Sequence, residues 1–245
     1  MAHASNKPER EADPPGPLPG AEHADLVQRL WDGSLGRTVR CVPTRRTLMA
    51  VADGTVLYAK LRRGGRAAGA AEWRWLHLLP LLGVTTASPV AWIVRGRRSL
   101  LVTRALSDRR SLDAWAADAA RAGWLPELFT WVIRELATFV RHLHGHGLIH
   151  RDLNAAHLFC VDPRRGGAPA LLDVERTFRP RWRWRRWVVK DLATLLASSP
   201  VPVPRRVMLR FLRRYLAAPL GDHVGLMRAI RRKATRIRAR RPRFG

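Results

Sequence analysis

Two aspartates stand where they could run one reaction. Asp152 lies in His150-Arg151-Asp152-Leu153-Asn154, with His157 five residues on, and Asp173 lies in Leu171-Leu172-Asp173-Val174-Glu175-Arg176. Carboxylates in this order and at this spacing suit phosphoryl transfer from a nucleotide. The first would stand beside an attacking hydroxyl, orient it and accept its proton late in the transfer. The second, ending a short apolar strand, would hold Mg²⁺ against the β- and γ-phosphates of ATP. A third, Asp191 in Lys190-Asp191-Leu192, opens an apolar helical stretch and is expected to brace the Asp152 loop through its backbone amides.

Lysine usage adds a second set. Positive charge here is nearly all arginine, and lysine occurs only at Lys7, Lys60, Lys190 and Lys233. Lys60 ends the apolar stretch Val56-Leu57-Tyr58-Ala59, a place for a compact ammonium that reaches the α/β-phosphates and pairs with a glutamate on the next helix. Glu72 is the only carboxylate between Lys60 and Asp108, so Lys60, Glu72 and Asp152 form the expected catalytic set. His157 stands where protein kinases usually carry an asparagine that ligates a second Mg²⁺. Neutral imidazole suits that oxygen-loving cation poorly, so His157 is expected to steady Asp152 or Asp173 or to bond a metal-bound water. Asn154 stands on the same nucleotide side, where many protein kinases have a phosphate-contacting lysine; that contact is missing or is made by an arginine.

The surrounding pattern predicts a two-lobed α+β, protein-kinase-like fold, with a small β-rich N-lobe and a mainly helical C-lobe. Strands are expected at 37–42, 47–51 and 55–60, the latter pair joined by an Asp53-Gly54 turn. A helix over 67–79 would carry Glu72, and strands at 89–94 and 100–103 would lead into a hinge at 104–108. In the C-lobe, a helix beginning near Pro126 carries Leu128, Val132, Leu136, Phe139 or Val140, and Leu143 at helical spacing. No Gly-x-Gly-x-x-Gly joins the first two strands. The turn reads Pro43-Thr44-Arg45-Arg46, which predicts that Arg45 and Arg46 replace part of the backbone cradle for the phosphates. The segment between Asp173 and Asp191 is short and lacks Ala-Pro-Glu, which favours a small-molecule, sugar or lipid-linked acceptor over a peptide.

Composition agrees with one enzyme of this size. The 245 residues carry 45 Lys and Arg against 19 Asp and Glu, a formal charge of +26 that would concentrate anionic partners. Cys41 and Cys160 stand far apart in no ligand spacing, which excludes a zinc site and points to a reducing cytoplasm. His142, His144, His146 and His150 do not gather three imidazoles on one helix face, which disfavours a metal site there. No signal peptide is visible, and Pro80, Gly83 and Pro89 interrupt the one uncharged stretch long enough to suggest a membrane span. The expected partition is a disordered segment at 1–22, an N-lobe at 23–106, a C-lobe at 107–226 and a basic tail at 227–245, with C-terminal helices around 204–216 and 226–238. The tryptophan- and arginine-rich run from Arg179 to Trp187 reads as an acceptor or membrane contact, or else as a basic loop with its tryptophans tucked into the C-lobe.

Gly36-Arg37-Thr38-Val39-Arg40, Arg45-Arg46-Thr47-Leu48, the strand ending at Lys60, the Glu72 helix, His150-Arg151-Asp152 with His157, Asp173-x-x-Arg176 and Lys190-Asp191-Leu192-Ala193 together resemble the lipopolysaccharide kinase family. That resemblance implies ATP and Mg²⁺ as cosubstrates and a Kdo or heptose of an anionic glycolipid as acceptor, met at the cytoplasmic face of the inner membrane. Leu-Asp-Val-Glu-Arg stands where generic kinases have Asp-Phe-Gly. The competing readings are an atypical protein kinase or small-molecule phosphotransferase, a basic membrane-associated pseudokinase scaffold and, as the lesser candidate, a nucleic-acid binder.

Overall fold

The computed structural model describes residues 21–64, 68–218 and 224–240. The segment expected to be disordered therefore lies, through residue 20, outside the described residues. Residues 21 and 22 already belong to a helix, α1 (Ala21–Asp32), which corrects the expected end of that segment at residue 22. The chain divides into two compact units, residues 1–73 with 89–103, and residues 74–88 with 104–245.

The first unit is α1 and a five-stranded sheet built from β1 (Arg37–Val42), β2 (Arg45–Ala52), β3 (Thr55–Arg63), β4 (Pro89–Arg95) and β5 (Arg98–Arg104), in the order β1-β2-β3-β5-β4. Alternation drives the packing. Leu48 and Ala50 of β2 and Leu57 and Ala59 of β3 turn to one face, where Val27 and Leu30 of α1 close a core with Leu100 and Val102. The β2–β3 hairpin turns on Asp53 (φ 48°) and Gly54 (φ 71°), both left-handed, as an Asp-Gly turn of the mirror-image kind requires. Its register sets Lys60 opposite Thr47 and Arg62 opposite Arg45. Arg45 and Arg46 lie in β2, not in the turn, which keeps only Pro43 and Thr44. Strand pairing with Val42 and Cys41 draws the two arginines into the ladder, and Arg46 Nε donates to Thr38 Oγ1 at 2.8 Å.

Helix α2 (Ala70–Leu81) starts in the first unit, and its residues from Arg74 belong to the second. The second unit continues with β6 (Arg110–Ser111), α3 (Leu112–Ala122), α4 (Leu125–Trp131), a π-helical segment (Val132–Leu136), α5 (Ala137–Gly145), β7 (Leu158–Cys160), β8 (Ala170–Leu171), α6 (Trp184–Ala197), α7 (Arg205–Leu216) and α8 (Val224–Arg238). Strands β6, β7 and β8 form a small antiparallel sheet in that order. The π-segment explains one departure from the expected core stripe. Its wider turn shifts the face by about one residue, so Trp131 is buried in the position expected for Val132, which is only half-buried. Leu128, Leu136, Phe139, Val140 and Leu143 lie inside as the spacing predicts.

Two further expectations need correction. Residues 227–238 are not a tail: α8 buries Leu226, Ile230 and Ala234 at four-residue spacing and packs on α6. Asp191 does not open its helix either, because α6 begins at Trp184 and the last four residues of the Trp/Arg run, Trp184 to Trp187, supply its first turn. Leu112, Leu128, Phe129, Val207 and Phe211 are among the side chains lining an apolar cavity among the helices of this unit. No helix of the described residues is long and apolar enough to cross a membrane.

Candidate active site

In the first unit, Lys60 and Glu72 are joined. Lys60 Nζ donates to Glu72 Oε1 at 2.6 Å, as its place at a strand end before the helix predicts. Arg62, two residues on along the same face of β3, donates to Glu72 Oε2, also at 2.6 Å. Arg62 and Glu72 are buried, with side chains 7% and 4% exposed, while Lys60 keeps 20% exposure. Sequence reasoning missed Arg62, because one arginine among so many carries no mark of its own. Its strand parity with Lys60 was the available signal.

Arg45 and Arg46 also lie in the first unit, on β2, and Asp152, Asn154, His157 and Asp173 lie in the second unit. Asp152 follows Arg151, whose left-handed backbone (φ 68°) turns the loop outward, and Asp173 is left-handed as well (φ 54°). Such conformations cost of order 1 kcal/mol or more and persist where neighbours hold them. The holders are visible. Lys190 Nζ donates to the Arg151 carbonyl, and burial lowers the pKa of that ammonium. Asp191, fully buried, accepts the His150 backbone N–H at 2.8 Å, so it braces the loop through a backbone amide as expected. Burial also drives the His150 imidazole toward its neutral form, against the pull of Asp191, and its Nε2–H donates to the Leu172 carbonyl at 3.1 Å.

The brace extends outward. His144 Nε2 lies 3.5 Å from the same Asp191 oxygen, and His144 Nδ1 lies 2.7 Å from the Tyr215 hydroxyl, whose pKa burial raises. Asp191→Ala would orphan the buried His150 N–H, and a loss of about 2–3 kcal/mol is expected. Asp191→Asn, which keeps an oxygen facing that N–H, should lose less. Urea unfolding midpoints of the two variants check the order, and equal midpoints would remove the brace.

His157 joins the two aspartates. Its Nδ1 lies 3.0 Å from the Asp152 carbonyl, and its Nε2 lies 3.7 Å from Asp173 Oδ2. With Nδ1–H donating to that carbonyl, Nε2 is left as an acceptor nitrogen beside a carboxylate, an arrangement able to share a cation or a water. A Glu175 carboxylate oxygen lies within 4.8 Å of one from Asp173, so this unit offers two carboxylates and one imidazole as donors. Glu175 was not singled out from the sequence, although its place two residues after Asp173 was a usable signal. Asn154 is occupied locally: its Oδ1 accepts the His157 backbone N–H at 3.1 Å, and its Nδ2 faces His157 Nδ1 at 3.2 Å. Its oxygen thereby caps the short turn Ala155–His157.

The tryptophans of the Trp/Arg run differ in burial. Trp187 packs edge-on against Phe178, ring centroids 5.0 Å apart, and lies under the Arg151 guanidinium at 5.8 Å. Trp182, by contrast, is 76% exposed.

Residues 60–215 match the family described as lipopolysaccharide kinase (Kdo/WaaP). Lipopolysaccharide core heptose(I) kinase WaaP of Pseudomonas aeruginosa is 29% identical over 256 residues, covering 89% of this chain and 96% of that protein. The protein of the same name from Escherichia coli is 32% identical, covering 84% of this chain and 88% of its own length. Among solved structures, WaaP in complex with acyl carrier protein aligns at a TM-score of 0.70 and 29% identity over 86% of this chain and 96% of that one. An aminoglycoside-3'-phosphotransferase of type VIII aligns at 0.57 and 19% identity, over 86% of this chain and 99% of its own, and shares the fold. With a β-rich lobe holding Lys60 and Glu72 and a helical lobe holding Asp152, His157 and Asp173, the chain belongs to the lipopolysaccharide kinase (Kdo/WaaP) family, an enzyme family of ATP-dependent phosphotransferases with the protein-kinase-like fold.

Proposed function

We propose that this enzyme transfers the γ-phosphate of ATP to a hydroxyl of the first heptose of the lipopolysaccharide inner core. The observation that carries this reading is the set of Asp152, His157 and Asp173 held together by hydrogen bonds and a buried brace. Heptose rather than Kdo is favoured because the curated relatives are heptose(I) kinases. Asp152 orients the sugar hydroxyl; its oxygen bonds to the γ-phosphorus, the bond to the ADP oxygen breaks, and the proton passes to Asp152 late in the transfer. Lys60, set by Glu72, serves the α/β-phosphates, and Arg45 and Arg46 of β2 are the remaining N-lobe candidates for nucleotide contact. Asp173 and Glu175 would hold Mg²⁺, with Nε2 of His157 on the metal or on its water, and the ion would neutralise charge on the phosphates.

The setting proposed is the cytoplasmic face of the inner membrane, with peripheral contact. Exposed Trp182 among Arg179, Arg181, Arg183, Arg185 and Arg186 supports that contact, because indole suits the interface and guanidinium pairs with phosphate. The test of the whole reading is label transfer from Mg-ATP to purified lipid A core glycolipid. Label on the heptose supports it; label on Kdo or on a protein substrate instead would overturn the acceptor.

The solved relative's partner supports a second ligand class, an acyl carrier protein whose acyl chain enters the apolar cavity of the helical unit. Acylated carrier should then bind at least tenfold tighter than the unacylated form. Equal affinities by calorimetry would remove the cavity from that role.

A further inference from the structure

Arg176 is bound to the base of the reaction in a way the sequence motif alone does not explain. It closes the short turn Val174–Arg176 that follows left-handed Asp173, and its Nη1 lies 3.8 Å from Asp152 Oδ2. The backbone beneath it is fixed on both sides. Val174 is fully buried, Thr177 N–H donates to the Val174 carbonyl at 3.0 Å, and Ile149 and Phe178 exchange two backbone hydrogen bonds of 3.0 Å. The side chain above is not fixed, because the guanidinium is 52% exposed and its partner carboxylate 37% exposed. A rigid stem with a movable head is suited to a cation that changes partners.

The neighbouring candidates are engaged elsewhere. Asn154, at the loop position where a phosphate-contacting cation would stand, is uncharged and spends its side-chain oxygen on the His157 backbone N–H. Lys190 is half-buried with its ammonium on the Arg151 carbonyl. The Arg151 guanidinium lies over the Trp187 ring, 5.8 Å from its centroid. Transfer of a γ-phosphoryl group spreads negative charge over three equatorial oxygens, and a guanidinium offers two parallel donors matched to such oxygens.

We propose that Arg176 is a catalytic residue: paired with Asp152 in the nucleotide-free enzyme, it swings to the γ-phosphoryl oxygens when ATP binds and holds them through the transfer. Pairing in the resting state holds the Asp152 carboxylate in place. Release leaves the carboxylate free to meet the acceptor hydroxyl. The inference rests on the phosphotransfer reading but not on the identity of the acceptor.

The decisive measurement is calorimetric binding of a non-hydrolysable ATP analogue and of ADP, each with Mg²⁺, to the full chain and to Arg176→Gln. The analogue is expected to bind about tenfold or more weakly to the variant, with ADP affinity unchanged, because only the γ-phosphate meets the guanidinium. Turnover should fall roughly 10³-fold with the acceptor KM unchanged, and Arg176→Lys should recover part of both losses as a single point charge. Equal weakening for analogue and ADP would assign Arg176 a structural role and overturn the proposal, as would unchanged analogue affinity. If Arg176→Gln does not fold, the same difference read on Arg176→Lys decides. A wild-type chain that binds neither nucleotide would sink the phosphotransfer reading itself, whereas nucleotide binding without label on the glycolipid would sink only the acceptor.

Discussion

Asp152→Asn is expected to lower kcat by about 10³–10⁴-fold while leaving the fold, and nearly all of the nucleotide affinity, in place. The separation follows from what the residue does with each end. Its backbone carbonyl meets His157 Nδ1, a contact that asparagine retains, and the loop is held by Asp191 and Lys190 rather than by the Asp152 carboxylate. The carboxylate's ion pair with Arg176 is half-exposed at 3.8 Å, the kind of pair that adds less than about 1 kcal/mol to stability. What asparagine cannot do is accept the hydroxyl proton. Label transfer and thermal unfolding on the same preparation check this, and a variant that melts several degrees early would show that the carboxylate supports the loop rather than the chemistry.

Legibility from sequence followed how local and how distinctive each signal was. Asp152, His157 and Asp173 were readable because their spacing is short and their residue types are unusual among apolar neighbours. Lys60 and Glu72 were readable because lysine is scarce here and Glu72 has no carboxylate rival nearby. Arg62 was not, although it shares Glu72 equally, because arginine abundance hides a functional arginine. The π-segment escaped because it is a shift of one residue inside a helix whose periodicity is otherwise regular. The helix expected around 226–238 is α8, but arginine density hid that it packs, which three apolar residues at four-residue spacing achieve, and it hid the first turn of α6 as well. The strand β2 was underestimated at its start for the same reason, which moved Arg45 and Arg46 from a turn into a ladder.

The second large effect is expected at Glu72. One buried carboxylate accepts from two cations at 2.6 Å each, so Glu72→Ala removes the acceptor that the Arg62 guanidinium and the Lys60 ammonium share. Breaking a buried pair by removing one partner costs about 3–5 kcal/mol. At roughly 2–4 °C per kcal/mol for a chain of this size, the unfolding midpoint should drop by about 10 °C. Arg62→Met should behave differently, since it removes a cation whose carboxylate still has Lys60; a change within about 1 kcal/mol is expected. Combining the two should recover part of the Glu72→Ala loss, the non-additivity that a shared carboxylate requires. The division of labour has a functional consequence. While Arg62 holds Glu72 from the buried side, Lys60, the more exposed partner, can turn from the carboxylate to a phosphate without leaving Glu72 unpaired. ATP affinity should therefore fall in Glu72→Ala and survive in Arg62→Gln at low temperature. A Glu72→Ala protein that melts within 2 °C of wild type, or a double variant no more stable than Glu72→Ala alone, would show that Arg62 and Lys60 do not depend on one carboxylate.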